Sequence, residues 1–165
     1  MTQCSLFAAM LAVCGWISVP MGDIAITLQT FGIFLTLGLL GGKWGTAAIG
    51  VYLAMGAVGL PVFSGFRGGL GHLIGVSGGF LWGFLLAGLV YWALEKLGRR
   101  IAMLGGLLAC YFCGCIWFYC YSGGGLMFIL LRCVIPYVFF DLAKLWLADR
   151  LANRLKKVIK LPSRT

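Results

Sequence analysis

The sequence predicts an all-α integral membrane protein, a bundle of six transmembrane helices forming one domain over residues 1–165, with both termini cytoplasmic. Three observations carry that prediction. Of the 165 residues, 62% are hydrophobic and 10% charged, against roughly 45–50% and about 25% in soluble proteins. The apolar residues fall into six stretches near the length that crosses a bilayer, about 20 residues at 1.5 Å each. The charges sit between those stretches, mostly on one side. The 26 glycines fit such a bundle, because a missing side chain lets helix backbones approach closely.

The first span runs over about 4–19 and ends at Pro20. Its start, MTQCSLFAAMLAVCGW, lacks a positive leader and reads as a span rather than a cleaved signal. The second covers about 26–40, closing at Gly41-Gly42-Lys43; the third covers 44–60, stopped by Pro61. A glycine-rich loop, FSGFRGGLGH, leads to the fourth, about 73–94. The fifth is 101–121, followed by Ser122 and three glycines. The sixth element lies within 126–155 and admits two readings. Pro136 either kinks one long helix or opens a shorter one at 136–155, where its missing N–H costs nothing.

Orientation follows from the cations. Ten of thirteen Lys and Arg lie at Lys43, Lys96, Arg99, Arg100 and the basic tail 150–165. The opposite loops hold Asp23, Arg67 and His72, with Arg132 near that face. An excess of Lys and Arg marks the cytoplasmic side. The net charge of +9 is thereby explained without nucleic acid, for which there is no long basic face and no aromatic-interleaved groove.

Catalytic and metal chemistry are poorly supplied. The seven cysteines all lie in apolar stretches, where Cys behaves as a small hydrophobe. The run CYFCGC at 110–115 contains one CxxC but has no second pair, and the chain has one His, so no metal site is expected. There is no carboxylate dyad, HExxH or GxSxG. GGKWG at 41–45 contains Gly-Lys, but Leu37 and Trp44 occupy the other positions of a phosphate-binding loop. Any ATP-driven work therefore requires a partner.

Asp141 and Lys144, in FFDLAKLWL, are the most informative residues. Three apart on a helix, they share one face. Each costs at least about 2.5–3.5 kcal/mol to place mid-membrane, so such residues usually line a cavity. They read as a polar ligand site, as a mutually neutralising ion pair, or as both. An ammonium matches a ligand carboxylate, and a carboxylate accepts ligand N–H groups. Thr27, Gln29 and Thr30, in ITLQTFGIF, read as capping or interhelical hydrogen-bonding groups. His72 reads as a solvated loop residue. The loop at 60–80 reads equally as a flexible connection or as a lid carrying Phe63, Phe66 and Arg67.

Four segments, in this order, resemble the BioY family, the substrate-binding S components of energy-coupling factor (ECF) biotin transporters: ITLQTFGIFL (26–35), YLAMGAVGLPVFSGFRGGLG (52–71), IGVSGGFLWGF (74–84) and VIPYVFFDLAK (134–144). The resemblance extends from about Ala8 to about Leu151. It implies the ECF S-component fold and an outward-facing biotin pocket roofed by loops. Asp141 would meet the ureido ring and Lys144 the valerate carboxylate, with Gln29, Phe63, Gly78, Gly79 and Phe80 as pocket or lid neighbours. It further implies docking on a transmembrane coupling subunit driven by two ATPases, in a prokaryotic plasma membrane. Biotin is then the ligand, ATP is used only by the partner subunits, and this chain holds no cofactor. Ala8 and Ala12, a small-xxx-small pair, would serve docking or, equally, packing within the bundle.

This chain departs from the family pattern at two places. Val76-Ser77 and Phe80 replace Pro-Thr and Tyr in Gly-Pro-Thr-Gly-Gly-Tyr, and Phe139-Phe140 replaces Pro-Gly before Asp141. The alternatives are an S component for another small vitamin, or an unrelated small membrane enzyme or channel.

Overall fold

The computed structural model describes residues 2–19, 25–123 and 134–159, together with 125, 127, 129 and 131. Pro20, Asp23, Arg132 and the tail from 160 onward, which figured in the sequence reading, lie outside the described residues. Helix α1 spans Thr2–Trp16, α2 Gln29–Ala57, α3 Leu70–Ile74, α4 Gly78–Leu94, α5 Arg99–Ser122 and α6 Ile135–Ile159. A single 3₁₀ turn, Glu95–Leu97, joins α4 to α5.

Helix α2 is two arms folded on each other. Gly41 breaks it with φ 78° and ψ 175°, a left-handed φ that favours glycine. Eight residues of straight helix would separate Leu37 from Gly45 by about 12 Å. Instead, a β-carbon on Gly45 would stand 3.0 Å from the Leu37 Cα, and Gln29 reaches Tyr52, 23 residues on. The expected stretches 26–40 and 44–60 are therefore arms of one hairpin, and Gly41 supplies its turn. The turn is fastened from outside, where the Gly42 N–H donates to Glu95 Oε2 at 2.7 Å. A β-carbon on Gly42 would stand 2.4 Å from the Trp92 Cα, so only glycine fits beneath α4.

This hairpin is the centre of the bundle. It packs against α1, α4 and α6, and α4 packs in turn on α5. Phe34, Ile33, Leu37, Ile49 and Tyr52 from its two arms meet Leu11 of α1 and Met103 of α5 in a fully buried core. The outside is equally apolar: Leu6, Leu108, Phe112, Phe139 and Trp146 are all more than half exposed. A soluble protein does not show such a surface on every helix; a chain solvated by lipid does. Gly78–Leu97 and Arg99–Ser122 are each long and apolar enough to cross a membrane, and the 29 residues of Gln29–Ala57 reach that length only as the sum of the two arms.

Several expected boundaries move. The bundle is all-helical, and added to it is a two-residue ladder in which Ser18–Val19 (β1) pairs antiparallel with Ile26–Thr27 (β2), Ser18 opposite Thr27. The first helix accordingly stops at Trp16, and α2 starts at Gln29, whose N–H donates to Thr27 Oγ1 at 3.3 Å. α2 ends at Ala57, ahead of Pro61. The stretch expected from 73 is split: α3 ends at Ile74, and Gly75 is extended, its carbonyl accepting from Trp117 Nε1 at 3.0 Å. α4 begins only at Gly78. Pro136 lies in the first turn of α6, where the Tyr137 and Val138 N–H groups both donate to the Val134 carbonyl. Of the two readings of the last element, the helix-opening one matches this geometry.

Ala8 and Ala12 face inward, 0% and 5% exposed. As placed, they pack within the chain and present no docking face; the outward side of α1 carries Ser5, Leu6, Ala9 and Val13.

Candidate functional site

At one end of the bundle, α1, the β-hairpin, the start of α2, α4, α5 and α6 enclose a cavity of about 530 Å³. Phe80, Leu81, Phe84, Leu107 and Tyr137 give it apolar walls. Asp141, Lys144, Gln29, Thr27, Thr30, Ser77, Arg67 and His72 supply the polar groups.

The polar centre is built around Asp141. Its Oδ1 lies 3.0 Å from Lys144 Nζ, and its Oδ2 accepts from the Tyr111 hydroxyl at 2.6 Å. Lys144 Nζ also donates to the Thr27 carbonyl of β2 at 2.7 Å. The pair is therefore an ion pair and a cavity wall at once. Two of the three ammonium N–H bonds have named partners, leaving one for a ligand. Both Asp141 oxygens retain acceptor capacity.

Gln29 lines the cavity but is also tied into the frame. Its Oε1 accepts from Thr27 Oγ1 at 3.1 Å, and its Nε2 donates to Tyr52, whose hydroxyl donates to the Val62 carbonyl at 3.1 Å. This chain of bonds couples the cavity floor to the loop after α2. Phe80 projects into the cavity over Gly114, where a β-carbon would stand 2.5 Å from the ring.

The remaining expected neighbours sit behind the wall. Gly78 and Gly79 are packing glycines: their β-carbons would stand 2.0 Å from the Leu73 carbonyl oxygen and 2.2 Å from Trp117 Cβ. Phe63 is fully buried, edge-on to Tyr52 and stacked on His72 at 5.4 Å. His72, read as a solvated loop residue, therefore forms part of the cavity lining. Burial, and then the nearby Arg67 charge, push its pKa below the usual value, which favours the neutral ring.

A roof closes part of the mouth. The Phe63 N–H donates to the Arg67 carbonyl at 2.9 Å, forming a tight turn through Gly65 and Phe66, at φ 70° and 58°. A left-handed φ on Phe66 costs about 1–3 kcal/mol, and the ring it aims stacks on Trp16 at 5.0 Å. Trp16 is held by its Nε1 donating to the Pro61 carbonyl at 2.7 Å. Of the two readings of this loop, the structure fits the lid.

Tyr111 is the residue that sequence reasoning missed. It lies inside CYFCGC, where attention fell on the cysteines. The available signal was a phenol in mid-span, whose hydroxyl has to find a partner when buried. Among the described residues no cluster of three His, Cys, Asp or Glu could hold a metal ion.

Comparison with known proteins sets this geometry in context. The model of the BioY family matches residues 1–161. The chain is 38% identical over 161 residues to the biotin transporter BioY of Thermotoga maritima, covering 94% of this chain and 95% of that one. It is 36% identical over 152 residues to the probable biotin transporter BioY of Pyrococcus horikoshii, covering 92% and 93%. Among solved structures, the S component for biotin from an ECF-type ABC transporter superposes with a TM-score of 0.87 at 30% identity, covering 94% of this chain and 89% of the other.

Proposed function

The chain belongs to the BioY family, and we propose that it binds biotin and carries it across a prokaryotic plasma membrane as the S component of an ECF uptake system. The observation that carries this reading is the Asp141–Lys144–Tyr111 group in a half-apolar cavity whose size suits a small molecule. Among the described residues the cavity lining holds two cations, Arg67 and Lys144, and one carboxylate, that of Asp141. That imbalance favours an anionic ligand, which biotin is through its valerate.

The contact between Asp141 and Lys144 bears on how biotin is held. Ureido ring and carboxylate lie at opposite ends of the molecule, whereas the two side chains touch. An adjacent acceptor and donor match one ureido group, N–H to Asp141 and C=O to Lys144, and Arg67 then takes the carboxylate near the lid. The alternative assigns the carboxylate to the third N–H of Lys144.

Six crossings follow if α1, the two arms of α2, α4, α5 and α6 each traverse the bilayer. Lys43, Lys96, Arg99, Arg100 and the basic end of α6 gather at the end away from the cavity, which favours cytoplasmic termini. The missing phosphate-binding loop favours energy supply by partners, a transmembrane coupling subunit and two ATPases.

Equilibrium binding of radiolabelled biotin to the purified chain tests the reading. Removing one member of a buried, hydrogen-bonded charge pair costs about 2–5 kcal/mol, or roughly 30- to several-thousand-fold in affinity. Asp141→Asn and Lys144→Ala should each weaken binding on that scale. Biotin amide should bind weakly, and Arg67→Ala should weaken it little further; if Lys144→Ala is instead the substitution without further effect, Lys144 holds the carboxylate. Normal biotin binding by both Asp141→Asn and Lys144→Ala would move the pocket elsewhere.

A further inference from the structure

The end of the bundle away from the cavity carries a second concave site. Arg100 of α5 and Arg150, Asn153, Arg154 and Lys157 of α6 enclose about 270 Å³. Four of these five residues are cations, and none of the five is acidic. Among the described residues, the Asp149 carboxylate beside Arg150 is buried and engaged by Arg99 at 2.7 Å and by Arg100 Nε at 3.2 Å. Arg100 is otherwise 80% exposed, so its terminal N–H groups remain for another acceptor. Asn153 accepts from Arg99 through Oδ1, which leaves its amide N–H groups as donors. A hollow walled by cations and amide donors is an anion site by composition.

Its place on the molecule selects the anion. Trp146, one turn earlier on α6, is 59% exposed, and the Arg150 guanidinium lies over its ring at 5.0 Å. At the same end, Trp44 is exposed beneath Lys43, 5.8 Å away, and Trp92 is exposed beside Gly42. Exposed tryptophans with cations a turn beyond mark the boundary between hydrocarbon and headgroups. The hollow therefore sits at headgroup depth.

We propose that this pocket binds the phosphate of an anionic phospholipid headgroup, such as phosphatidylglycerol. Basic pockets between membrane helices suit such headgroups. A single small hollow against the apolar flank fits one phosphate with its acyl chains beside Trp146 better than it fits the broad acidic face of a protein.

The test uses the full chain purified in detergent, given equal amounts of phosphatidylglycerol and phosphatidylcholine and read by native mass spectrometry. The wild type should retain phosphatidylglycerol preferentially. R150Q/R154Q should lower that preference about 10- to 30-fold, at roughly one charge-phosphate interaction per residue. K43Q/K96Q removes equal charge from the same end and should leave the preference intact. Inorganic phosphate at millimolar concentration should not displace the lipid; if it does so and raises the melting temperature alone, the site takes free anions and the proposal fails. Equal retention of both lipids by the wild type, or an unchanged preference in R150Q/R154Q, also overturns it. An unchanged lipid preference in R150Q/R154Q together with lost co-purification of the partner subunits would make the pocket a protein-docking site and overturn the proposal. Biotin binding measured on the same samples reports folding of the variants; its absence from every sample, wild type included, would count against the proposed transport function and not against the lipid pocket.

Discussion

Helix α6 carries two buried aspartates eight residues apart, about 12 Å along its axis, and they are used in opposite ways. Asp149 faces α5 and is gripped by two guanidiniums, Arg99 and Arg100. Asp141 finds its cation on its own helix, Lys144, and takes only the Tyr111 hydroxyl from α5. An ion pair within one turn does nothing to hold two helices together. Its members also border the cavity, while Asp149 does not. The contrast separates a charge that closes the structure from a charge held ready for something else.

The largest expected effect tests the closing charge. Breaking a buried pair by removing one partner costs about 3–5 kcal/mol, so Asp149→Asn should lower stability on that scale by thermal or denaturant unfolding in detergent. Protein that remains folded should bind biotin within about threefold of wild type, since the cavity is a turn or more away. Asp141→Asn and Lys144→Ala should do the reverse, losing affinity with a smaller change in melting temperature. If all three lose only stability, the two aspartates are both structural and the contrast collapses.

The sequence made one side of this contrast visible and concealed the other. Asp141 and Lys144 stood out because charge in an apolar run is costly wherever the run sits in a membrane. Asp149, just ahead of the basic tail, carried no such signal, because its partners lie about fifty residues away and spacing reports only neighbours on one helix. The inward placement of Ala8 and Ala12 was illegible for a related reason. Lipid is as apolar as a protein core, so the hydrophobic pattern that separates inside from outside in a soluble helix loses its meaning here. The hairpin at Gly41 and the lid glycines were readable as breaks, since backbone conformation is local. Tyr111 was legible only as a phenol in need of a partner, and Phe63 was legible as a residue of the loop but not as one buried behind Tyr52 and His72.

Tyr111 sharpens the contrast because it belongs to both sides, bridging α5 to α6 and also orienting the cavity carboxylate. A hydrogen bond to a charged group is worth about 1.5–3 kcal/mol, and Tyr111→Phe should divide that loss between stability and biotin affinity. Melting temperature and equilibrium binding should therefore both fall, each by less than in Asp149→Asn and Lys144→Ala respectively. A loss confined to melting temperature would assign Tyr111 to helix closure alone.

The smallest effect concerns His72, whose depressed pKa comes from burial first and Arg67 second. A base with a lowered folded pKa binds fewer protons folded than unfolded, so its contribution is full above about pH 6.5 and is lost as pH falls below it. Unliganded protein should therefore lose a little stability on acidification through that range. Biotin affinity should move the other way: a carboxylate in the cavity favours protonated His72, so binding takes up protons and strengthens from pH 7.5 to 5.5, by less than about tenfold per unit. The two slopes have opposite signs and one origin, and His72→Gln should flatten both. Biotin amide, without the carboxylate, should show the stability slope but little affinity slope. Affinity that falls on acidification, or a slope that survives in His72→Gln, would place the ligand's charge away from His72 and the lid.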